Sequence, residues 1–411
     1  MAERQMPDPL KDKNIVLGVC GGVAAYKALD LVRTLVRSGA LVRVVMTKAA
    51  QAFIGPLTFA ALSGNAVWTH MFGEEEGTPF RHITWAEEAD TVVIAPATAN
   101  CIAKMAHGIA DDPLTTLMLS VRVPVLVCPS MNRHMYENGV VQDNINTLER
   151  HGVVVLRPET GPLACGDEGP GRLPDVETIA EEVRSLLSPK DLAGEHVLVT
   201  AGSTQEPVDP VRFISNPSSG KMGYALARAA RRRGAEVVLV TGPTALSHPQ
   251  GVSVFEVRTA DEMLRAVKDP AKKATIIIMA AAVSDWRPAS HFEHKVKKEE
   301  MERHLNLEQT TDILKMLGEN KKGQTLIGFA AETQDLRKHA TAKLAAKNLD
   351  LVVANLVGQD GSGFGSDTNQ VSLFYSDGRD EALPLMHKEV LADILLDRAI
   401  AMRNKARDGA D

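Results

Sequence analysis

The stretch Ile214–Gly223, ISNPSSGKMG, stands between a strand-like run, EHVLVTAG (Glu195–Gly202), and a helix-like run, GYALARAARRRG (Gly223–Gly234). A Gly-Lys pair ahead of a helix suggests phosphate binding. The P-loop pattern, however, requires Gly five residues before Gly220, and Ser or Thr after the Lys. Those positions hold Ser215 and Met222, so the pattern fails at both. What remains is a strand, a turn of small residues and a helix.

The same order recurs along the chain. NIVLGVC (Asn14–Cys20) is a continuous apolar run ending at Gly21-Gly22, as a buried parallel strand would. AAYKALDLVRTLVRSG follows with apolar residues at helical spacing and Gly39 as its stop. LVRVVM, TVVIAPA (Thr91–Ala97), VPVLVCP (Val123–Pro129) and GVVVLRP (Gly152–Pro158) are short, β-branched and bounded by Gly or Pro. A polar connection with Pro and Gly, SPKDLAGE (Ser188–Glu195), marks a domain boundary, and the alternation then restarts. AEVVLVTG, VSVFEV, ATIIIMAAAV (Ala274–Val283), TLIGFAAE (Thr325–Glu332) and DLVVANLV (Asp350–Val357) read as strands. QVSLFYSDG reads as an added strand, and HKEVLADILLDRAIAMRN as a last helix. The expected fold class is α/β. Two Rossmann-like domains, residues 1–189 and 190–411, each carry a mostly parallel sheet with helices on both faces. Ligands in such sheets sit beyond the carboxyl ends of the strands, so the loops there are where function is sought.

Composition narrows the function classes. The 411 residues are 44% hydrophobic, 24% charged and 4% aromatic, with a net charge of −6. No basic field or aromatic-interleaved basic patch offers itself to nucleic acid or anionic membrane. No apolar run reaches membrane-spanning length, and the polar N-terminus lacks a signal core. Cys20, Cys101, Cys128 and Cys165 show no CxxC spacing, which points to a reducing cytoplasm without a disulfide frame or structural zinc. Cys20, Cys101 and Cys128 sit in apolar or alanine-rich contexts and read as buried small hydrophobes.

Three strand-end loops of the first half are unusual. GVCGGVAAYK places glycines where a helix start could receive a phosphate, although a structural turn explains them equally well. APATANCIAKMAHGIADD offers small residues that let a flat ring approach the backbone, and CPSMNRHMYEN is an odd connector. With His82 in FRHITWAEEAD and Cys165 in GPLACGDEGPGRLP, these segments stand in the order of the flavin-dependent phosphopantothenoylcysteine decarboxylase family, which the first half resembles along its whole length. Cys101 stands where that family often has Thr, and Tyr136 where Trp is frequent.

The resemblance implies an FMN site at Gly21, Gly22, Thr47, Ala97 and Asn100. It implies oxidation of the thiol-bearing carbon of a cysteine-ended substrate, loss of carbon dioxide, then reduction. Such chemistry needs a base, a carboxylate holder and a proton donor. His82 suits the base, with an unperturbed pKa near neutrality. The neutral amide of Asn132 can hold the substrate carboxylate without cancelling its charge. Cys165 suits the proton donor, since a thiol with a pKa of about 8.5 stays mostly protonated. Its loop holds Gly161, Gly166, Gly169 and Gly171 and reads as a closing lid.

In the second half, TAGSTQEPVDPVRFISNPSSGKMG, AAAVSDWRP, KVKK (Lys295–Lys298), GFAAET and KNLDLVVAN resemble the phosphopantothenate–cysteine ligase family, in its order. Ser218, Ser219 and Gly220 then put backbone N–H groups at a helix start, which suits phosphate. The resemblance implies activation of a carboxylate by a nucleoside triphosphate, then displacement by the amine of cysteine. Asn216 would contact the acyl group and Lys295 the developing charge. Nucleotide contacts fall on Met279, Ala280, Ala281, Asp285, Lys295, Thr311, Asp312, Ile313, Leu314, Phe329, Lys343 and Lys347. CTP is the implied nucleotide and Mg²⁺ its companion, with no metal ligands assigned. TDIL (Thr311–Leu314) departs from the family's usual Pro-Asp-Ile-Leu. Read alone, HKVKKEEMERH is a solvated charged loop, and Lys343 and Lys347, four apart, a solvated helix face.

Together these readings imply a bifunctional enzyme of coenzyme A synthesis acting on small molecules in the cytoplasm. They also imply homo-oligomers: trimeric flavin domains and dimeric ligase domains, an assembly of both being a dodecamer. A two-domain NAD(P)-dependent reductase shares the fold, but neither half shows GxGxxG with an acidic residue about 20 positions on. A regulator that has lost catalysis would be expected to lack one of His82, Asn132 and Cys165, and all three are present.

Overall fold

The computed structural model describes residues 8–72, 80–163, 166–297, 304–332, 335–356 and 365–408. Cys165 and Lys298 lie outside the described residues. The chain divides into two compact units between Ser188 and Pro189.

The first unit is built on β1 (Asn14–Val19), β2 (Leu41–Met46), β3 (Thr91–Ala97), β4 (Val125–Pro129) and β5 (Val154–Val155). All are parallel, in the order β2–β1–β3–β4–β5. Successive side chains of a strand face opposite ways, so β1 feeds two cores. Ile15, Leu17 and Val19 pack with Leu31 and Leu35 of helix Lys27–Arg37. Val16 and Cys20 pack on the other face with Leu114 and Ile145. Burial on both faces is why these runs are apolar without alternation.

One expectation changes here, and one segment is given its form. The run Gly152–Pro158 forms a strand only at Val154–Val155, because it is an edge that pairs with Leu126 and Val127 alone before Pro158 turns it away. The Gly-rich segment read as a lid is an antiparallel hairpin, β6 (Glu159–Pro162) with β7 (Glu168–Arg172).

In the second unit the strands are β8 (His196–Ala201), β9 (Gln205–Pro207), β10 (Phe213–Ser215), β11 (Glu236–Thr241), β12 (Ser253–Glu256), β13 (Ile276–Met279), β14 (Trp286–Pro288), β15 (Leu307–Gln309), β16 (Thr325–Glu332), β17 (Leu351–Leu356), β18 (Thr368–Asn369), β19 (Val371–Tyr375) and β20 (Asp380–Ala382). The main sheet runs β12–β11–β8–β13–β16–β17–β19–β20. β12 through β17 in that order are parallel, while β19 and β20 are added antiparallel. The sequence reading missed the hairpins β9–β10 and β14–β15, whose strands are three residues each. The run Ala274–Val283 is strand only at Ile276–Met279. Its end peels off to meet the loop after β8, Ala282 N–H donating to Gly202 O at 2.8 Å.

Helix Lys221–Arg232 ends in two arginines that tie this unit together. The Arg233 side chain is 2% exposed and pairs with Asp191 (2.6 Å) and Asp397 (2.7 Å), while Arg232 pairs with Asp393 (2.7 Å). The entry to the unit is thereby fixed to its last helix, Lys388–Asp408. Removing one partner of such buried pairs costs about 3–5 kcal/mol, because the other charge is left unpaired.

In each sheet the crossovers leave a central strand in both directions, β1 towards β2 and β3, β8 towards β11 and β13. The backbones behind β8 and β11 meet there. A Cβ on Gly242 would lie 2.0 Å from Ser203 O, a backbone atom that cannot swing away. Gly242→Ala is expected to cost about 1–3 kcal/mol through this overlap, read as a lower urea midpoint. An unchanged midpoint would mean that these loops are not in contact.

Candidate functional sites

In the first unit the loops after β1 and β3 face each other across the switch point. A Cβ on Gly21 would fall 2.5 Å from Ala49 Cβ and 2.6 Å from its carbonyl carbon, so only glycine lets the turn pass, whereas Gly22 faces open space. Thr47, half-buried after β2, is held by its N–H to Val19 O (3.1 Å), and its hydroxyl accepts from Ala50 N–H. Ala97 is the last residue of β3. Thr98 caps the next helix, Ala99–His107, accepting from Cys101 N–H, and Asn100 stands exposed in its first turn. Small residues, an accessible turn and a capped helix start fit the phosphate and flat ring of a flavin mononucleotide. Cys20, Cys101 and Cys128 are buried thiols, as expected, and burial pushes the Cys128 thiol up.

Asn132 follows β4 and caps the short helix Arg133–Tyr136. Its Oδ1 accepts from His134 N–H (2.8 Å), which fixes the amide so that Nδ2 is the outward donor. That donor reaches Asp167 Oδ2 at 3.4 Å. Asp167 lies at the start of β7, where its O accepts from Leu163 N–H, so this end of the hairpin is brought to Asn132. The docking depends on Gly171. Its φ is +143°, and a Cβ there would lie 2.1 Å from Met131 O; instead Met131 N–H donates to Gly171 O (3.0 Å). His82 is the half-buried second residue of helix Arg81–Glu88.

In the second unit the ties are more numerous. Asn216 Nδ2 donates to Val283 O (3.0 Å), and Ser215 Oγ to Thr204 O (2.7 Å), joining the end of β10 to the loops after β8 and β13. Gly220, at φ +76°, starts helix Lys221–Arg232 behind Ser218 and Ser219. The Lys221 ammonium, which suggested a P-loop, is turned elsewhere: it donates to Gly365 O (2.9 Å) and pairs with Asp367 (2.6 Å). The exposed Lys295 precedes Val296, whose O accepts from Arg212 (3.0 Å). Arg212 is itself held by Asp209, whose carboxyl the guanidinium keeps well below the usual range. The Lys295 loop and the approach to Asn216 are thus anchored on one side chain.

The implied nucleotide residues converge as well. Lys343 Nζ donates to Phe329 O (2.7 Å), and Lys347 pairs with Asp312 (2.8 Å), so neither lysine is merely solvated. Asp312 caps helix Ile313–Glu319, and Thr310 N–H donates to Asp285 O, placing Thr311 close to Asp285. Met279 is 6% exposed, and half-buried Ala280 and Ala281 follow it at the end of β13. Ile313 and Leu314 are core side chains, 3% and 8% exposed, so their backbone alone faces the site end. Sequence reasoning missed Thr200, Thr204, Arg212 and Asp167. Thr200 Oγ1 accepts from Ala281 N–H, and Thr204 Oγ1 from Ser284 N–H. The signal for Thr200 was a hydroxyl within the apolar run of β8, and for Arg212 an acid three residues before it.

The family model described as Flavoprotein matches residues 3–188, and the one described as DNA/pantothenate metabolism flavoprotein C-terminal domain matches residues 192–402. The coenzyme A biosynthesis bifunctional protein CoaBC of Bacillus subtilis is 48% identical over 394 residues, covering 94% of this chain and 97% of that protein. The protein of the same name from Vibrio cholerae is 44% identical over 390 residues, covering 94% and 98%. Among solved structures, the C-terminal domain of a CoaBC protein is 42% identical, covering 53% of this chain and 99% of that one, with a TM-score of 0.46.

Burial alone would raise the Asp312 carboxyl, but the Lys347 ammonium and the Lys315 N–H outweigh it and hold it below the usual carboxylate range. Its contribution to stability is therefore present above the ordinary carboxylate pKa and is lost as pH falls through the lowered value. In acid unfolding followed by circular dichroism, Asp312→Asn is expected to show a shallower loss below about pH 4 than the parent. Coincident acid limbs would mean that Lys347 does not hold Asp312 ionised.

Proposed function

Because the chain belongs to the family of coenzyme A biosynthesis bifunctional proteins, we propose that it joins cysteine to phosphopantothenate in its second unit and decarboxylates the product in its first. The observation that supports this reading is that Gly21, Thr47, Ala97 and Asn132 in the first half, and Ala280 and Ala281 in the second, lie at or just beyond the carboxyl ends of parallel strands of their own sheet.

In the ligation, the phosphopantothenate carboxylate attacks the α-phosphate of a nucleoside triphosphate and pyrophosphate leaves. The amine of cysteine then displaces the nucleotide monophosphate to form the amide. Backbone N–H groups of Ser218–Gly220 receive phosphate. Asn216 orients the acyl group, and the Lys295 ammonium offsets charge on the phosphate and on the carbonyl oxygen. The Lys343–Phe329 and Lys347–Asp312 ties hold the nucleotide end. The nucleotide is CTP, on the resemblance of the motif set; Mg²⁺ would accompany it and offset phosphate charge, and the exposed Asp285 carboxylate would be a suitable oxygen donor to hold it.

In the decarboxylation, residues Gly21, Gly22, Thr47, Ala97 and Asn100 hold FMN. When bound, the flavin accepts a hydride from the thiol-bearing carbon and returns it after carbon dioxide leaves. His82 takes the substrate thiol proton. Asn132 Nδ2 donates to the substrate carboxylate, as it does to the Asp167 carboxylate, and leaves its negative charge intact for departure as carbon dioxide. Cys165 returns a proton to the product. The flavin units form trimers and the ligase units dimers, and the enzyme acts in the cytoplasm.

Lys295→Gln is expected to abolish ligation while supplied phosphopantothenoylcysteine is still decarboxylated, and Cys165→Ser to do the reverse. Loss of both activities from either folded variant would sink the division of labour. Mass spectrometry of products from phosphopantothenate, cysteine and Mg²⁺ is expected to show phosphopantetheine with CTP and little with ATP. Equal conversion with ATP would overturn the choice of nucleotide.

A further inference from the structure

The second unit holds a cavity of about 980 Å³ that the ligation does not use. It lies beneath the amino ends of β13 and β16, between helix Ala260–Lys273 and helix Ile313–Glu319. Ala280, Ala281 and Asp285 follow β13 at its opposite, carboxyl end, while Asp312–Leu314 open the same helix whose later residues Met316 and Leu317 line the cavity.

The floor is aliphatic. Ile277, Leu317 and Leu326 line it although each side chain is almost wholly buried in the core. Among the described residues no Phe, Tyr, Trp or His lines it, so a nucleobase would find no ring there to stack on. Around this floor stand Arg265, Lys268, Lys272, Lys321, Lys322 and Arg403, with Asp269 the one acidic residue lining it among the described residues. Three of these cations are matched: Lys272 by Asp269 (2.7 Å), Lys321 by Asp350 (3.0 Å) and Arg403 by Glu195 (2.6 Å). Among the described residues Arg265, Lys268 and Lys322 enter no ion pair. Gathering like charges around one concavity is unfavourable unless an anion is shared between them. A volume of this size suits a small molecule, with apolar walls for its body and a few polar groups for its head.

We propose that this cavity binds a small anionic amphiphile, an aliphatic chain ending in a phosphate. The chain lies on Ile277, Leu317 and Leu326, and the phosphate is shared by Arg265, Lys268 and Lys322. A phosphate suits the site better than a carboxylate because three unmatched cations exceed the charge of one carboxylate. The cavity is distinct from the crevice of the proposed ligation, and helix Ile313–Glu319 is the element the two share.

Octyl phosphate titrated calorimetrically into the full chain tests this. One saturable site per chain is expected, weakening as salt is raised. The double variant Lys268→Glu/Lys322→Glu is expected to bind at least about tenfold more weakly. Both side chains are exposed, so its thermal midpoint should match the parent's. Arg265→Gln gives an independent, smaller loss in the same direction. Octanol and inorganic phosphate, each alone, are expected to bind far more weakly than the joined molecule. Unaltered affinity in the charge-reversed variant, or no saturable binding, overturns the proposal. Displacement by CTP together with loss in Lys295→Gln also overturns it, since the probe would then occupy the ligation site.

Discussion

A parallel sheet whose crossovers leave one central strand in opposite directions cannot close over that strand's carboxyl end. The chain parts there, and the backbone ends of neighbouring strands are left facing a crevice. β1 occupies this position in the first unit and β8 in the second. Most of the chemistry assigned to this chain follows from that constraint. Residues entering the crevice must be small, because backbones pass close together: Gly21 against Ala49, Gly242 against Ser203. Donors must come from backbone and short polar side chains, which is what Thr98, Ser218 and Ser219 supply.

A crevice is not yet a site, and polar ties convert one into the other. Asn132 reaches the β6–β7 hairpin, Arg212 reaches the Lys295 loop, Lys343 reaches the Phe329 carbonyl and Lys347 reaches Asp312. Half-exposed pairs of this kind contribute at most about 1 kcal/mol each to stability. Their effect is on position: each joins loops far apart in sequence, so that groups acting on one substrate keep a common frame. Lys221 shows the same economy of roles. Its ammonium pins the segment at Gly365–Asp367, which leaves only backbone N–H groups and short hydroxyls at the head of its helix.

The buried arginine pair works on a larger scale. Arg232 and Arg233 end the helix that begins at the Ser218–Gly220 turn, and they hold Asp191, Asp393 and Asp397. The far end of the helix is thereby clamped between the first residues of the unit and its last helix. A helix fixed at its carboxyl end presents its amino end, and Gly220 with it, in one place.

Much of this was legible in the residues alone. Short β-branched runs bounded by Gly and Pro located nearly every strand of the two parallel sheets, because strands buried on both faces have to be apolar throughout. The division between Ser188 and Pro189 falls in a polar, Pro- and Gly-containing stretch. The motif order pointed to both chemistries. What failed was local. The three-residue strands of β9, β10, β14 and β15 carry too few residues for a period to show, and the β6–β7 hairpin is stabilised by its docking on Met131 and Asn132 rather than by β propensity. The sequence by itself determined the α/β architecture and which loops could carry chemistry, since periodicity and glycine placement act over a few residues. Only the tertiary structure decided that Lys343 meets the Phe329 carbonyl and Lys347 meets Asp312, that Lys221 pairs with Asp367, and that Thr200 and Arg212 tie neighbouring loops. Those facts depend on partners tens of residues away, which chain folding alone brings within hydrogen-bond distance.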